Sequence, residues 1–135
     1  MKTKTRRHIS PARFIKLEGA IEDTSTGLLW ASEDLGTDRL NWANAKKAAA
    51  TLDLCGLKGW RLPTIRELLT LADYERSSPA IDPIFSSCKS DWYWTSTPLA
   101  SSPGDYAWYV HFYYGYASYA RQGYEGLVRA VRARQ

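Results

Sequence analysis

The chain has 135 residues, 44% hydrophobic and 24% charged, with a net charge of +4; this is the length of one domain, enough for an apolar core without metal or disulfide support. Two cysteines are too few for a disulfide scaffold and lack metal-site spacing, and no apolar run approaches the roughly 20 residues that cross a bilayer. Aromatics make up 13%, with six Trp and nine Tyr, an excess that suits either a loop-rich fold tied together by rings or a recognition surface.

The chain opens with a basic arm, residues 1–17, carrying Lys2, Lys4, Arg6, Arg7, Arg13 and Lys16. Such an arm is a solvated tail or a contact for an acidic partner. It is charged and lacks the apolar stretch of about 7–15 residues that marks a signal peptide. No aromatic nucleic-acid-binding signature accompanies it, so nucleic acid is not the expected partner. A single domain follows over 18–135. "GAIEDTSTGLLWA" (Gly19–Ala31) reads as a strand, a turn at Asp23–Gly27 and a second strand ending in Trp30. From Asn41 to Gly56 good helix formers place Trp42, Ala45, Ala49 and Leu52 at helical spacing, with Gly56 as the stop.

Thr64 and Glu67 form a capping box after Pro63, opening a second helix whose buried stripe is Ile65, Leu68, Leu69 and Ala72. Glu75–Asp91 is a Pro- and Ser-rich connection. From Trp92 the chain turns to strands: "WYWTST", a Tyr-rich segment and "GLVRAVRA", separated by "PLASSPGD" and by a turn near Gly115. Helices first and antiparallel strands after make an α+β domain.

The Tyr-rich segment, Tyr106 to Tyr119, holds six tyrosines, a tryptophan and a phenylalanine in fourteen positions. Strand alternation puts Trp108, Val110 and Phe112 on one side, the expected core row. Ala107, Tyr109, His111 and Tyr113 fall on the other, a row of rings with polar tips. That second row is either a paratope or an ordinary half-exposed strand in which Tyr is a good β-former. Catalytic constellations are thin: there is no phosphate loop, nucleophile elbow or metal-binding His pair, and neither His8 nor His111 has an evident partner. No catalysis, cofactor or metal is expected. Cys55 and Cys88 are compatible with one bridge or with two buried free thiols.

Taken in order, "DTSTGLLW", the helix from Trp42 to Cys55, "GWRLPTIRELLTL", "YWTSTP", "AWYVHFYYG" and "VRAVR" resemble the Lcl C-terminal domain family, named after the end domain of a collagen-like bacterial adhesin. The resemblance implies a C-type-lectin-like fold, two helices packed on twisted antiparallel β-sheets, with Trp30, Trp60, Leu62, Trp94, Trp108, Phe112, Val128 and Val131 as scaffold. It also implies an adhesion or recognition module, some members binding sulfated polysaccharide. The triplets with which calcium-dependent lectins hold sugar are absent from this sequence, so calcium-dependent sugar binding is not expected. Related folds serve as the variable proteins of diversity-generating retroelements, where Asn codons are rewritten; after Asn44 this chain has no Asn. The formylglycine-generating enzymes share the broad fold, but their chemistry needs a cysteine pair near the end of the chain, and Cys88 has no companion there.

The expected ligand surface is therefore built from Leu99, Ser101, Ser102, Tyr106, Tyr109, His111, Tyr113, Tyr114, Tyr116, Ser118, Tyr119, Arg121, Gln122 and Tyr124. Rings supply contact area, and Ser118, Arg121 and Gln122 polar specificity. The partner would be a protein or carbohydrate on a cell surface, with attachment to a virion, such as a phage tail, or to a surface-display partner through the basic arm. A structural alternative has the tyrosines burying against a second copy in a homo-oligomer. Three spatial expectations follow: Trp60, Leu62 and Trp108 are buried together; a bridge, if formed, brings Cys55 against Cys88; and Tyr109, His111, Tyr114, Tyr116 and Tyr119 gather, exposed, on one side.

Overall fold

The structure is a computed structural model describing residues 12–36 and 38–134. In chain order it contains β1 (Phe14–Lys16), β2 (Ala20–Asp23), β3 (Leu28–Ala31), α1 (Trp42–Ala50), α2 (Ile65–Leu69), β4 (Trp92–Pro98), β5 (Tyr106–His111), β6 (Tyr116–Arg121) and β7 (Val131–Ala133). The strands form two antiparallel sheets, one ordered β1-β2-β3-β7 and the other β4-β5-β6. Two helices and two antiparallel sheets make the expected α+β domain.

The first hairpin forms where the sequence places it, Ala20 to Asp23 opposite Leu28 to Ala31. Its turn is held by Asp23, whose carboxylate accepts from the Ser25 amide and hydroxyl at 3.0 and 2.7 Å. The Arg13 guanidinium grips the same carboxylate through Nε and Nη2 at 3.1 and 2.9 Å. Burial alone would raise the Asp23 pKa; the bonds from Arg13 and Ser25 outweigh it and hold the carboxyl below its ordinary value. β1 was not expected. Of the arm at residues 1–17, Lys2, Lys4, Arg6, Arg7 and His8 lie outside the described residues, while Phe14 to Lys16 pair with β2 as a sheet strand.

The first helix is shorter than its pattern. Asn41 caps it, its side chain accepting from the Asn44 amide at 2.9 Å, and it ends at Ala50. Leu54 and Leu57 close a tight turn, and Cys55 and Gly56 take left-handed φ values of 60° and 69° that a helix cannot contain. The capping box of α2 is present in both directions: Glu67 N to Thr64 Oγ1 at 3.1 Å and Thr64 N to Glu67 Oε1 at 2.9 Å. Arg61, from the Trp-Arg-Leu-Pro stretch, completes it by donating to both Glu67 oxygens at 2.7 and 2.9 Å.

Most of "GLVRAVRA" is not strand but a buried spine joining the two sheets. Trp94 N donates to Leu127 O, Leu35 N to Val128 O and Ala31 N to Ala130 O, and Arg61 and Val131 exchange backbone bonds. Residues 126–131 are all buried. Around them lie two apolar clusters. One gathers Trp30, Leu68, Ile81, Phe85, Tyr93, Val110, Phe112 and Val131; the other gathers Trp42, Ala45, Trp60, Leu62, Trp94, Ala107 and Val128. Trp60 and Leu62 are thus buried together, but Trp108 belongs to neither cluster and is only half-buried. Of the two alternatives left open for the cysteines, the structure has the free thiols and not the bridge, and only Cys88 is buried while Cys55 is exposed. Cys55 Sγ lies 2.9 Å from the carbonyl oxygen of Glu18 on the β1–β2 turn, whereas Cys88 packs within the first cluster.

Candidate binding face

β5 is the centre of its sheet, and the covering of its two sides changes along its length. Toward its end, Val110 faces Tyr93 across the strands and sits with Phe112 in the cluster that includes Leu68 of α2. On the other side Ala107 is fully buried, and Tyr109, opposite Trp94, packs half-buried against the second cluster with its ring 4.7 Å from that of Trp92. Neither row is simply core or simply surface.

What opens to solvent is the other end of the first row, together with β6. Trp108 stands opposite Tyr119, and their rings meet edge to face at 5.6 Å. Tyr106 meets Tyr119 the same way at 5.7 Å, and the Arg121 guanidinium lies 5.2 Å from the Tyr106 centroid. Trp108 is therefore a member of the face. Tyr109 is largely a packing residue.

The expected gathering on one side is not found either. Tyr119 shares a side with Trp108, while His111 stacks on Tyr116 at 5.3 Å on the opposite side, as their register requires. Tyr113 and Tyr114, with rings 4.3 Å apart, sit on the turn between β5 and β6. A hydrogen bond with Tyr113 raises the Tyr114 phenol pKa. Gly115 makes this turn at φ 85°, and a Cβ there would meet Ala72 at 3.2 Å and the Tyr74 ring at 3.3 Å. Tyr74, 73% exposed, thus extends the turn's aromatic patch, a neighbour that sequence separation concealed.

A cleft of about 380 Å³ is lined by Trp92, Tyr106, Tyr109, Tyr119, Ala120, Arg121 and Tyr124. Larger clefts open beside Tyr74 and beside Cys88, about 620 and 580 Å³, but neither is walled by five aromatic rings. Trp92 was not among the expected site residues. Its ring lies on Gly126, where a Cβ would come within 2.5 Å of it, so the glycine leaves the room that lets Trp92 line the cleft. The hydroxyls of Tyr106, Tyr109, Tyr119 and Tyr124 make no hydrogen bond to other described residues, and Arg121 has no ion pair among them.

Two expected polar contacts have other work. Gln122 Nε2 donates to Pro103 O and Tyr106 O at 3.0 and 3.1 Å, its amide donates to Asp105 O, and its carbonyl accepts from Trp42 N. It braces the loop between β4 and β5 through Nε2, while its Oε1 makes no hydrogen bond among the described residues. Ser102 Oγ donates to Asp105 Oδ2 at 3.0 Å within the same loop. Leu99 is half-buried there, Ser101 is exposed beside it, and Ser118 is half-buried opposite Tyr109.

Residues 19–132 match the family described as the Lcl C-terminal domain. The chain belongs to that family. No match was found among curated proteins. The Lcl C-terminal domain match runs from just before β2 into β7 and leaves β1 outside it. Membership points to a surface module of adhesin-like type.

Proposed function

We propose that this Lcl C-terminal domain is a non-catalytic recognition module that holds a protein or carbohydrate ligand of a cell surface against the face formed by Trp108, Tyr119, Tyr106 and Arg121 and the adjoining cleft. The observation that carries this reading is the cleft itself. Five rings, the Trp92 indole and four phenols, converge on it, and among the described residues the four hydroxyls are unengaged and the Arg121 guanidinium has no ion pair. Rings supply large contact area at little rotamer cost, and free hydroxyls add direction.

The pattern of burial supports a finer reading, a surface whose residues can be varied. Between Tyr106 and Tyr124 the fully covered positions are Ala107, Val110, Phe112 and Gly115; Tyr113, Tyr114, Tyr116, Tyr119, Arg121 and Tyr124 are exposed. Changing the exposed set leaves the core untouched, as a diversity-generating retroelement requires. A reverse transcriptase gene beside a near-copy of this coding segment is the expected finding under that reading. Attachment to a virion or surface assembly falls to the basic N-terminal residues, most of which lie outside the described part.

The deciding experiment pairs a thermal melt with binding to glycan arrays and whole cells, for the wild type and for Tyr119→Ala with Tyr124→Ala. Binding should weaken by at least about thirtyfold, or about 2 kcal/mol, if either ring is a hot spot. The melt should move by no more than about 1 kcal/mol for two exposed residues. If stability falls in step with binding, these rings are packing and the proposal is wrong.

A further inference from the structure

We propose that residues 86–90, the last part of the connection from α2 to β4, form a latch that opens independently of the rest of the domain, with Asp34 as its catch and the Cys88 thiol as the group it covers. The connection is anchored to the backbone of the β5–β6 turn near its start and at its last residue. Ser78 N and Ala80 N donate to Tyr113 O and Phe112 O, and Phe112 N donates to Asp91 O. Between those anchors the backbone bonds among described residues are local, as in Phe85 N to Asp82 O and Cys88 N to Phe85 O, or end on the Tyr93 hydroxyl.

What holds residues 86–90 down is a polar cluster built around the Asp34 carboxylate, which Lys89 reaches directly and Ser87 through Arg129. Asp34, its side chain 6% exposed, accepts from Arg129 Nη2 at 2.8 Å, from the Tyr93 hydroxyl at 2.9 Å and from Lys89 Nζ at 3.3 Å. Ser87 Oγ donates to Ser32 O at 3.3 Å and accepts from Arg129 Nη2 at 3.4 Å. The bonds that fasten the segment itself are Lys89 to Asp34, Ser87 to Ser32 and Arg129, and the Lys89 amide to the Tyr93 hydroxyl, while Asp34 holds Arg129 and that hydroxyl in place to receive them.

The cleft of about 580 Å³ follows the apolar side of the connection, although Ile81, Phe85 and Cys88 on it stay buried. A segment with few strand hydrogen bonds, a shared polar fastening and a cleft beside it is the kind that opens below the global unfolding free energy. Closed, it leaves Cys88 8% exposed, and burial pushes the thiol pKa up. Cys55 is exposed and supplies the internal reference.

The test uses the whole chain, iodoacetamide as the probe and peptide mass mapping as the readout. In the wild type Cys55 should alkylate promptly and Cys88 slowly, at a rate that barely changes with low urea, because local opening exposes little surface. Asp34→Asn should accelerate Cys88 by at least about tenfold relative to Cys55. Tyr93→Phe, which removes only a hydroxyl, should accelerate it several-fold while the far-ultraviolet spectrum is unchanged. If Asp34→Asn does not fold, the wild-type urea series and Tyr93→Phe decide. The proposal is overturned if Cys88 becomes reactive with the urea slope of global unfolding, or if Tyr93→Phe leaves its rate unchanged.

Discussion

Replacing Glu67 by Gln and, separately, by Ala divides the energy at the start of α2 into two parts. Glu67 accepts from the Thr64 amide and from both nitrogens of the Arg61 fork. Gln keeps an acceptor for the amide and loses the charge. Because the Arg61 side chain is 43% exposed, solvent screens the pair, and the loss should be about 0.5–1 kcal/mol. Ala also removes the capping bond, worth about 1 kcal/mol, for a total of about 1.5–2 kcal/mol. For a domain of this size that corresponds to melting shifts of about 2–4 °C for Gln and about 6–10 °C for Ala at pH 7.

Acidity supplies the check on mechanism. The Arg61 hydrogen bonds, opposed by burial, hold the Glu67 carboxyl below its ordinary value. A carboxyl whose folded pKa lies below its unfolded one stabilises the fold above the unfolded value, near about 4.3, and loses that contribution as pH falls through the folded value. The gap between wild type and Glu67→Gln should therefore close between pH 5 and about pH 2. Melts followed by circular dichroism across that range would show it. A gap as wide at pH 2 as at pH 7, or an Ala variant no weaker than the Gln variant, would refute the assignment.

Trp94→Ala should cost about 3–5 kcal/mol, since Trp94 is fully buried and its indole N–H donates to Leu40 O; Trp108→Ala, at a half-buried position, should cost clearly less in the same urea titration. Gly126→Ala should displace the Trp92 ring and destabilise by about 1–3 kcal/mol, with a change in tryptophan fluorescence that marks the floor of the cleft. Unreduced protein should show two alkylatable thiols by mass after denaturation, and a mass two hydrogens lighter with none would restore the Cys55–Cys88 bridge.

Local signals in the sequence translated directly: the Thr64–Glu67 box, the Asp23 turn and the Asn41 start each depend on residues a few positions apart, and each stands where its pattern puts it. The aromatic rows were legible only in part. Alternation correctly separated Trp108 from Tyr109, but it cannot say which side is covered, and at β5 the cover changes between Val110 and Trp108. Gln122 looked like a free polar contact because its acceptors, Pro103 and Tyr106, are brought to it by tertiary structure. β1 was hidden by its charges, since Arg13 reads as part of a basic tail until its partner Asp23 is seen buried beneath it. The same holds for Trp92, whose place in the cleft depends on a glycine more than thirty residues away.

The pairing of β3 with β7 also sets a schedule for synthesis. Trp30 and Val131 are register partners about a hundred residues apart. The early hairpin leaves the ribosome with the outer edge of β3 bare, and β7 cannot cover it until residues 131–133 have emerged. Pairings this remote in sequence form slowly, because the intervening loop must be closed first. The interval in which Leu29 and Trp30 stand uncovered is when this domain is most open to mispairing, so its yield should respond to translation speed and temperature more than its final stability would suggest.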